Sequence, residues 1–431
     1  MSKPLAIQGG EKSVTADVGN LFSWPIVTKE DEDAVLDVLR RGAMSGLDVT
    51  CQFEKEMGQW LDMPYTLGVC NGTAGLLAAM WACGVGAGDE IICPSITYWA
   101  SCQPALSLGA AVNFADIDPT SLCIDPRDIE HRIGPRTKAI VVVHYCGHPA
   151  DMDAILLIAR KHGIKVIEDV SHAQGSLYKG KMAGTMGDIS VMSLMAGKSF
   201  PIGEGGLIAT REKRLWERCA AFGHYERTGT STLWGGKTQS LSDPDLTPYS
   251  GLSMFGVKHR MNQTCSAMGR VQLRHYPERI AEIQRAMNRF WDLLEGVPGI
   301  RAHRPSQTSG CTMGGWYSPR GLYRAEELGG LPCAKYCAAV AAEGFAASPG
   351  ANFPLHMHAI FHKADLLNMG KPTMVAFGQR DVRQGPGSLP VSEQIREIAF
   401  GIPWFKKDDP SRITQYAQAF RKVAEHASEL K

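Results

Sequence analysis

The chain has 431 residues, 44% hydrophobic and 21% charged, enough to bury a substantial core and to divide into two domains. Its 45 basic and 44 acidic residues leave a net charge of +1, and no long basic block stands out, so neither nucleic acid nor an anionic membrane surface is implied. The start, Met-Ser-Lys-Pro-Leu-Ala-Ile, lacks an apolar core of signal-peptide length, and no later run approaches the roughly twenty apolar residues of a membrane helix, so a cytoplasmic protein of small-molecule chemistry is expected.

Along the chain, apolar strand-like runs at residues 66–70, 90–93, 111–114, 139–143 and 165–167 alternate with helix-like stretches at 72–83, 100–108 and 152–162. That alternation predicts an α/β fold with a mostly parallel sheet covered on both faces. Residues 226–256, rich in Gly, Ser, Thr, Asp and Pro, read as a long surface or active-site loop. A helical stretch at 276–294 leads to strand-like 312–318, helix-like 334–343 and a final helix at 411–430, a smaller α+β domain. The expected division is an N-terminal arm at 1–25, a large domain at 26–270 and a small domain at 271–431. The 12 cysteines are scattered singly, many in apolar segments (Cys70, Cys83, Cys93, Cys102, Cys123), as buried reduced thiols would be. Cys333 and Cys337 share a helix face without two further ligands nearby, and no metal is expected.

The chemistry concentrates in two segments. Ser193-Leu-Met-Ala-Gly-Lys198 is followed by Gly203-Glu204-Gly-Gly206, placing a lysine between a strand-like run and a glycine-rich turn. About thirty residues earlier, Val166-Ile-Glu-Asp169-Val-Ser-His172 is an apolar strand ending in an acid. Ligands bind at the carboxyl ends of strands in such sheets, so both segments should open onto one crevice. A lysine, a carboxylate and a hydroxyl there suit pyridoxal phosphate: Schiff base on the amine, carboxylate on the pyridine nitrogen, serine or backbone donors on the phosphate. Taken alone, a lysine among glycines is usually a solvated loop residue. Asn71-Gly72-Thr73-Ala74 marks a strand-to-helix turn whose N–H groups and Thr73 hydroxyl suit a phosphate, although glycine at such a turn is more often a steric necessity. Tyr98 can lie against a planar cofactor or simply join the core.

In this order the pieces resemble the sugar aminotransferases of the DegT/DnrJ/EryC1/StrS family, fold-type I pyridoxal-phosphate enzymes. The likeness runs from about Leu5 to at least Leu273 and more loosely beyond. It is carried by Leu5-Ala-Ile-Gln-Gly-Gly10, Asn71-Gly-Thr-Ala74, Pro94-Ser-Ile-Thr-Tyr98, Asp116-Ile-Asp-Pro119, Val143-His-Tyr-Cys-Gly147, Glu168-Asp169 and Lys198 with its glycine turn. The resemblance implies that Lys198 forms the Schiff base with the cofactor and that Asp169 pairs with the ring nitrogen. It further implies that Tyr98 stacks on the ring, that Gly72, Thr73 and Ser193 contact the phosphate, and that the segment holding Lys258 reaches the phosphate of a partner subunit, making a homodimer with shared active sites. Family members with histidine at the lysine position dehydrate, so Lys198 favours amino transfer.

Three departures stand out. His172 replaces the family's usual glutamine, which appears instead at Gln174; it suits a hydrogen bond to the cofactor's phenolic oxygen and equally a structural role. Lys258 replaces a frequent asparagine and adds charge toward a phosphate. The loop at 226–256 looks expanded. His356, in Pro354-Leu-His356-Met-His358, matches a family segment lining the acceptor pocket, and no acid or cysteine completes a metal site around it. The implied activity moves an amino group from glutamate or glutamine to a keto sugar or a keto-cyclitol like scyllo-inosose. The opening Leu5-Ala-Ile-Gln-Gly-Gly10 and Lys258 lean toward the cyclitol branch. The runner-up is a nucleotide-linked keto sugar, for antibiotic or surface-polysaccharide assembly. A non-catalytic, regulatory cofactor-binding protein is a further alternative, which an intact Lys198 and Asp169 speak against.

Overall fold

A computed structural model describes residues 4–229 and 241–430. Strands β1 (Tyr65–Val69), β2 (Glu90–Pro94), β3 (Ala111–Ala115), β4 (Thr137–Val143) and β5 (Lys165–Asp169) precede a short hairpin of β6 (Leu177–Tyr178) and β7 (Lys181–Met182). Strands β8 (Ile189–Ser193) and β9 (Gly206–Thr210) follow, completing a seven-stranded sheet in the order β1-β9-β8-β5-β4-β2-β3. Only β9 runs antiparallel to its neighbours β1 and β8. The other pairs are parallel, as the alternating pattern requires.

Period-two alternation divides the core between the two faces of the sheet. Ile91 and Val141 pack in one apolar cluster, while Ile92, Ile140 and Val142 pack in another. Helices α1 (Lys29–Arg40), α2 (Asp48–Leu61), α3 (Gly72–Ala82), α4 (Pro104–Ser107), α5 (Pro126–Arg132), α6 (Met152–His162) and α7 (Lys213–Gly223) surround the sheet. The expected helix at 100–108 is interrupted: a 3-10 turn at Trp99–Ser101 precedes α4, whose first position is Pro104. Proline suits a helix start and cannot continue a preceding one, so the break falls there.

Helix α8 (Gln263–Leu293) is 31 residues long and begins well before the expected residue 276, because its ladder continues past Pro277. Its Tyr276 and Ile280 pack with Phe200 beside the large sheet, and its Phe290 and Trp291 pack in a C-terminal core. That second core covers the antiparallel sheet β10 (Ile300–Ala302), β11 (Arg320–Tyr323) and β12 (Ala399–Gly401), together with α9 (Cys333–Ala342) and the helix Pro410–Glu425. Leu5 and Leu21 join it. Residues 312–318, expected as a strand, are irregular instead, with Trp316 and Ser318 at φ of 54° and 48°. The strand lies just beyond, at β11.

The loop expected at 226–256 is anchored where it is described; residues 230–240 lie outside the described residues. Arg227 pairs with the buried Glu54 at 2.9 Å, and Glu217 accepts from the N–H groups of Ser242 and Asp243 at 2.9 and 2.8 Å. The described cysteines are free thiols, seven of them buried. No helix among the described residues is long and apolar enough to cross a membrane.

Candidate active site

A cavity of about 480 Å³ opens at the carboxyl ends of β5 and β8 and the start of α3. Gly72, Thr73, Tyr98, Asp169, His172, Ser193 and Lys198 all line it. Residues scattered over more than a hundred positions thus converge on one crevice, as the topology of parallel strands dictates.

The start of α3 forms one end. Asn71 caps the helix, its Oδ1 accepting from the Ala74 N–H at 2.8 Å, and this leaves the Gly72 and Thr73 N–H groups without a partner among the described residues. Two free N–H groups at the positive end of an 11-residue helix, with the Thr73 and Ser193 hydroxyls beside them, make a cradle for an anion. Glycine is required at position 72, because a Cβ there would stand 2.8 Å from the Ser193 Cβ.

Asp169 ends β5, almost fully buried. Its Oδ2 accepts from the Ser101 hydroxyl at 2.7 Å and its Oδ1 from the Ser171 N–H at 3.0 Å, so the carboxylate is held in one orientation. Lys198 is 7% exposed, and burial pushes its amine down to about 8 against the opposing pull of Asp169 and Cys146. The Lys198 carbonyl accepts from the Trp24 indole N–H at 2.8 Å, and its Nζ lies 4.2 Å from the centre of the Tyr317 ring. An amine so poised is nucleophilic close to neutral pH.

His172 is buried and packs against Tyr317, ring centres 4.7 Å apart and planes tilted by 39°. Burial, then the charges of Lys198 and Arg320, hold it well below the usual histidine range, so the ring is neutral. Its Nδ1 accepts from the Cys146 N–H at 3.4 Å, which puts the ring proton on Nε2 as a donor. Gln174 faces inward: its Nε2 donates to the Ser193 carbonyl at 2.7 Å, and its Oε1 accepts from Ser199 at 2.7 Å, tying together the two sides of the Lys198 segment.

Two expected site residues lie outside this cavity. His356 is buried with Nδ1 on Ser95 at 2.8 Å and Nε2 on Glu393 at 3.1 Å, so both ring nitrogens are engaged within the protein. Lys258 does not line the cavity either; its Nζ stands 5.9 Å from the Tyr225 ring centre. Its neighbour His259 nevertheless accepts from the Cys70 N–H at 2.7 Å, and Arg260 bridges to Val69, which sets this segment beside the α3 cradle.

Sequence reasoning missed Ser101, Tyr317, Arg320 and Asn352, all of which line the cavity. Ser101 sits one turn after Tyr98 and carried a local clue. The other three come from the C-terminal elements, and no spacing or periodicity links them to Lys198.

The donor set fits pyridoxal phosphate: an anion cradle, a fixed carboxylate and a buried amine share one cavity with an aromatic side chain, Tyr98. The family profile of the DegT/DnrJ/EryC1/StrS aminotransferases matches residues 25–369, and the chain belongs to that family. It is a pyridoxal-phosphate-dependent aminotransferase of fold type I. Among relatives, L-glutamine:2-deoxy-scyllo-inosose aminotransferase of Streptoalloteichus tenebrarius is 30% identical over 429 residues, 95% of each chain. Spore coat polysaccharide biosynthesis protein SpsC of Bacillus subtilis is 32% identical over 289 residues, 65% of this chain and 70% of the relative. A crystallographic aminotransferase from Psychrobacter cryohalolentis is 27% identical with a TM-score of 0.78, covering 93% of this chain and 97% of that one.

Proposed function

We propose that the protein transfers the amino group of glutamine, or of glutamate, to the ketone of a cyclitol resembling scyllo-inosose. The observation that carries this reading is the match to the Streptoalloteichus aminotransferase over 95% of both chains. It extends through the C-terminal elements that bring Tyr317, Arg320 and Asn352 into the cavity.

In this reading the Lys198 amine would hold the cofactor and, when free, would serve as the acid/base group at the substrate carbon. Gly72, Thr73 and Ser193 would hold the phosphate, and Asp169, fixed by Ser101 and Ser171, would keep the pyridine nitrogen protonated. Tyr98 would lie against the ring, and the His172 Nε2–H would be the donor for the phenolic oxygen. Pyridoxal phosphate, when bound, supplies the electron sink and carries the amino group between the two substrates. Tyr98, Trp99, Tyr225, Leu252, Phe255 and Phe353 are exposed apolar side chains, and they support a homodimer in which Lys258 serves the neighbouring phosphate. A reducing, cytoplasmic setting fits the free thiols.

The test reconstitutes the enzyme with pyridoxamine phosphate and follows single turnovers with scyllo-inosose, 2-deoxy-scyllo-inosose and nucleotide-linked 4-keto sugars. Faster turnover of a free inosose is expected. A preference for a nucleotide-linked sugar overturns the cyclitol assignment.

A further inference from the structure

The Lys198 peptide is held from outside its own loop. Its N–H donates to the Met195 carbonyl at 2.8 Å within the turn after β8, and its carbonyl accepts from one donor among the described residues, the indole N–H of Trp24 at 2.8 Å. Trp24 belongs to the N-terminal arm, 174 positions earlier, so no local pattern supplies this partner. Lys198 is nearly buried, and an unpaired carbonyl there is costly.

The arm is fastened to the C-terminal core before it reaches Lys198. The buried Glu343 carboxylate accepts from the Ala6 N–H at 2.8 Å and from the Ser13 N–H at 2.9 Å, and the Leu21 carbonyl accepts from the Lys406 N–H at 2.8 Å. Trp24 then packs on Trp404, ring centres 6.1 Å apart. Trp404 is itself pinned by its indole N–H to the Gly315 carbonyl at 2.9 Å, and it meets Tyr317 edge-on at 5.7 Å, the ring whose centre lies 4.2 Å from Lys198 Nζ. One pair of indoles thus reaches both ends of Lys198, the peptide through Trp24 and the amine through Tyr317. Lys406 packs against the same pair, its Nζ 5.5 Å from the Trp24 ring centre. Burial pushes the Lys406 amine down to about 5, so it brings no positive charge into this layer at neutral pH.

Resting on the reading of Lys198 as the amine that holds the cofactor, we propose that Trp24 is a positioning residue for Lys198. Its indole N–H fixes the lysine's peptide, and with it the direction in which the amine enters the cavity, so the arm at 5–24 is a working part of the site. Displacing a reacting group by about 1 Å can cost roughly 100-fold in rate, which is why one fixed peptide matters here. Trp24 acts on the position of the amine and leaves its protonation alone.

The experiment removes the indole N–H and little else. Trp24→3-benzothienylalanine carries sulfur in place of the N–H on the same ring frame, and Trp24→Phe carries the comparison of rates if that chain does not fold. Tyr336→Phe is the control: it removes a buried hydroxyl from the Phe420 carbonyl, a 2.9 Å bond in the C-terminal core and outside the cavity. Two quantities are measured with Tm alongside: stopped-flow capture of pyridoxal phosphate by the apoenzyme as a function of pH, and holoenzyme kinetics with L-glutamine or L-glutamate, whichever turns over faster. Trp24→3-benzothienylalanine should slow capture roughly tenfold and lower kcat roughly tenfold, with KM for the donor within about twofold and the pH break of capture still at about 8. Tyr336→Phe should lower Tm by a similar amount and keep both rates within about twofold of wild type. Wild-type rates in a folded position-24 variant, a loss confined to KM, a shifted pH break at an unchanged limiting rate, or equal losses in Tyr336→Phe overturns the assignment. Covalent capture by Lys198→Ala at the wild-type rate would instead overturn the reading of Lys198 on which it rests.

Discussion

The Ser101 hydroxyl donates to Asp169 Oδ2 at 2.7 Å, joining the turn after β2 to the end of β5 across the floor of the cavity. With the Ser171 N–H on Oδ1, this leaves Asp169 one plane in which to meet a ring nitrogen. Asp169→Asn is nearly isosteric and should fold, while removing the charge proposed to keep the ring nitrogen protonated. Turnover should fall by about two to three orders of magnitude, the range for loss of one preorganised electrostatic partner. Ser101→Ala keeps the charge and loses only its orientation, so a fall of roughly tenfold is expected. Steady-state kinetics decides, and an Asp169→Asn enzyme within a few-fold of wild type ends this assignment.

Lys198 gives a pH signature. Its amine titrates near 8 in place of 10.5 because burial disfavours the charged form. Only the neutral amine attacks an aldehyde, so capture of pyridoxal phosphate by the apoenzyme should rise about tenfold per pH unit below 8 and flatten above it. A free lysine amide measured in parallel should keep rising toward pH 10. Stopped-flow absorbance reads both. Continued rise in the enzyme beyond pH 9 contradicts the shift, and Lys198→Ala should show no covalent capture and no turnover.

Gly72→Ala sets two effects against each other. Alanine favours a helix over glycine by about 1 kcal/mol. The added Cβ, however, would stand 2.8 Å from the Ser193 Cβ and 3.0 Å from its Cα, and backbone there cannot swing aside. Overpacking of this kind costs about 1–3 kcal/mol, so the clash wins. The variant should have a lower Tm and should release the cofactor faster on dialysis, since both contacts lie in the proposed phosphate cradle. Unchanged retention would show that the cradle is not built on this close approach.

Much of this site was legible because its parts sit at strand ends. Asp169 closes an apolar run at β5, and Gly72 opens α3 where strand pattern gives way to helix pattern, so local residue types betray both. Met152–His162 was bounded from sequence as it stands, since Asp151 caps it and Gly163 ends it in the left-handed region. By contrast, the helix expected at 276–294 begins at Gln263, because α8 is held on both sides of Pro277 by two cores and runs through it. Tyr317 and Arg320 were hidden for another reason: tertiary packing, not local pattern, turns the irregular run before β11 toward Lys198. His356 shows the converse, a conspicuous side chain whose polar atoms are consumed by Ser95 and Glu393.

Lys258 allows a test of assembly. The His259 carbonyl accepts from the Cys70 N–H at 2.7 Å, so the chain carrying Lys258 passes the cradle while the side chain itself stays out of its own cavity. If Lys258 serves the neighbouring subunit, two defective chains should complement each other. Lys198→Ala lacks the amine, and Lys258→Ala lacks the phosphate contact. In a mixed dimer the site with native Lys198 receives Lys258 from the Lys198→Ala chain, and one competent site is restored. Co-expression with two different affinity tags isolates that mixed dimer, and turnover per dimer should approach half that of wild type. Loss of one charge-assisted contact to a phosphate should weaken cofactor retention by about 1.5–3 kcal/mol in the Lys258→Ala homodimer, which sets the baseline. No recovery in proven mixed dimers, with that homodimer impaired, would place Lys258 in the site of its own chain.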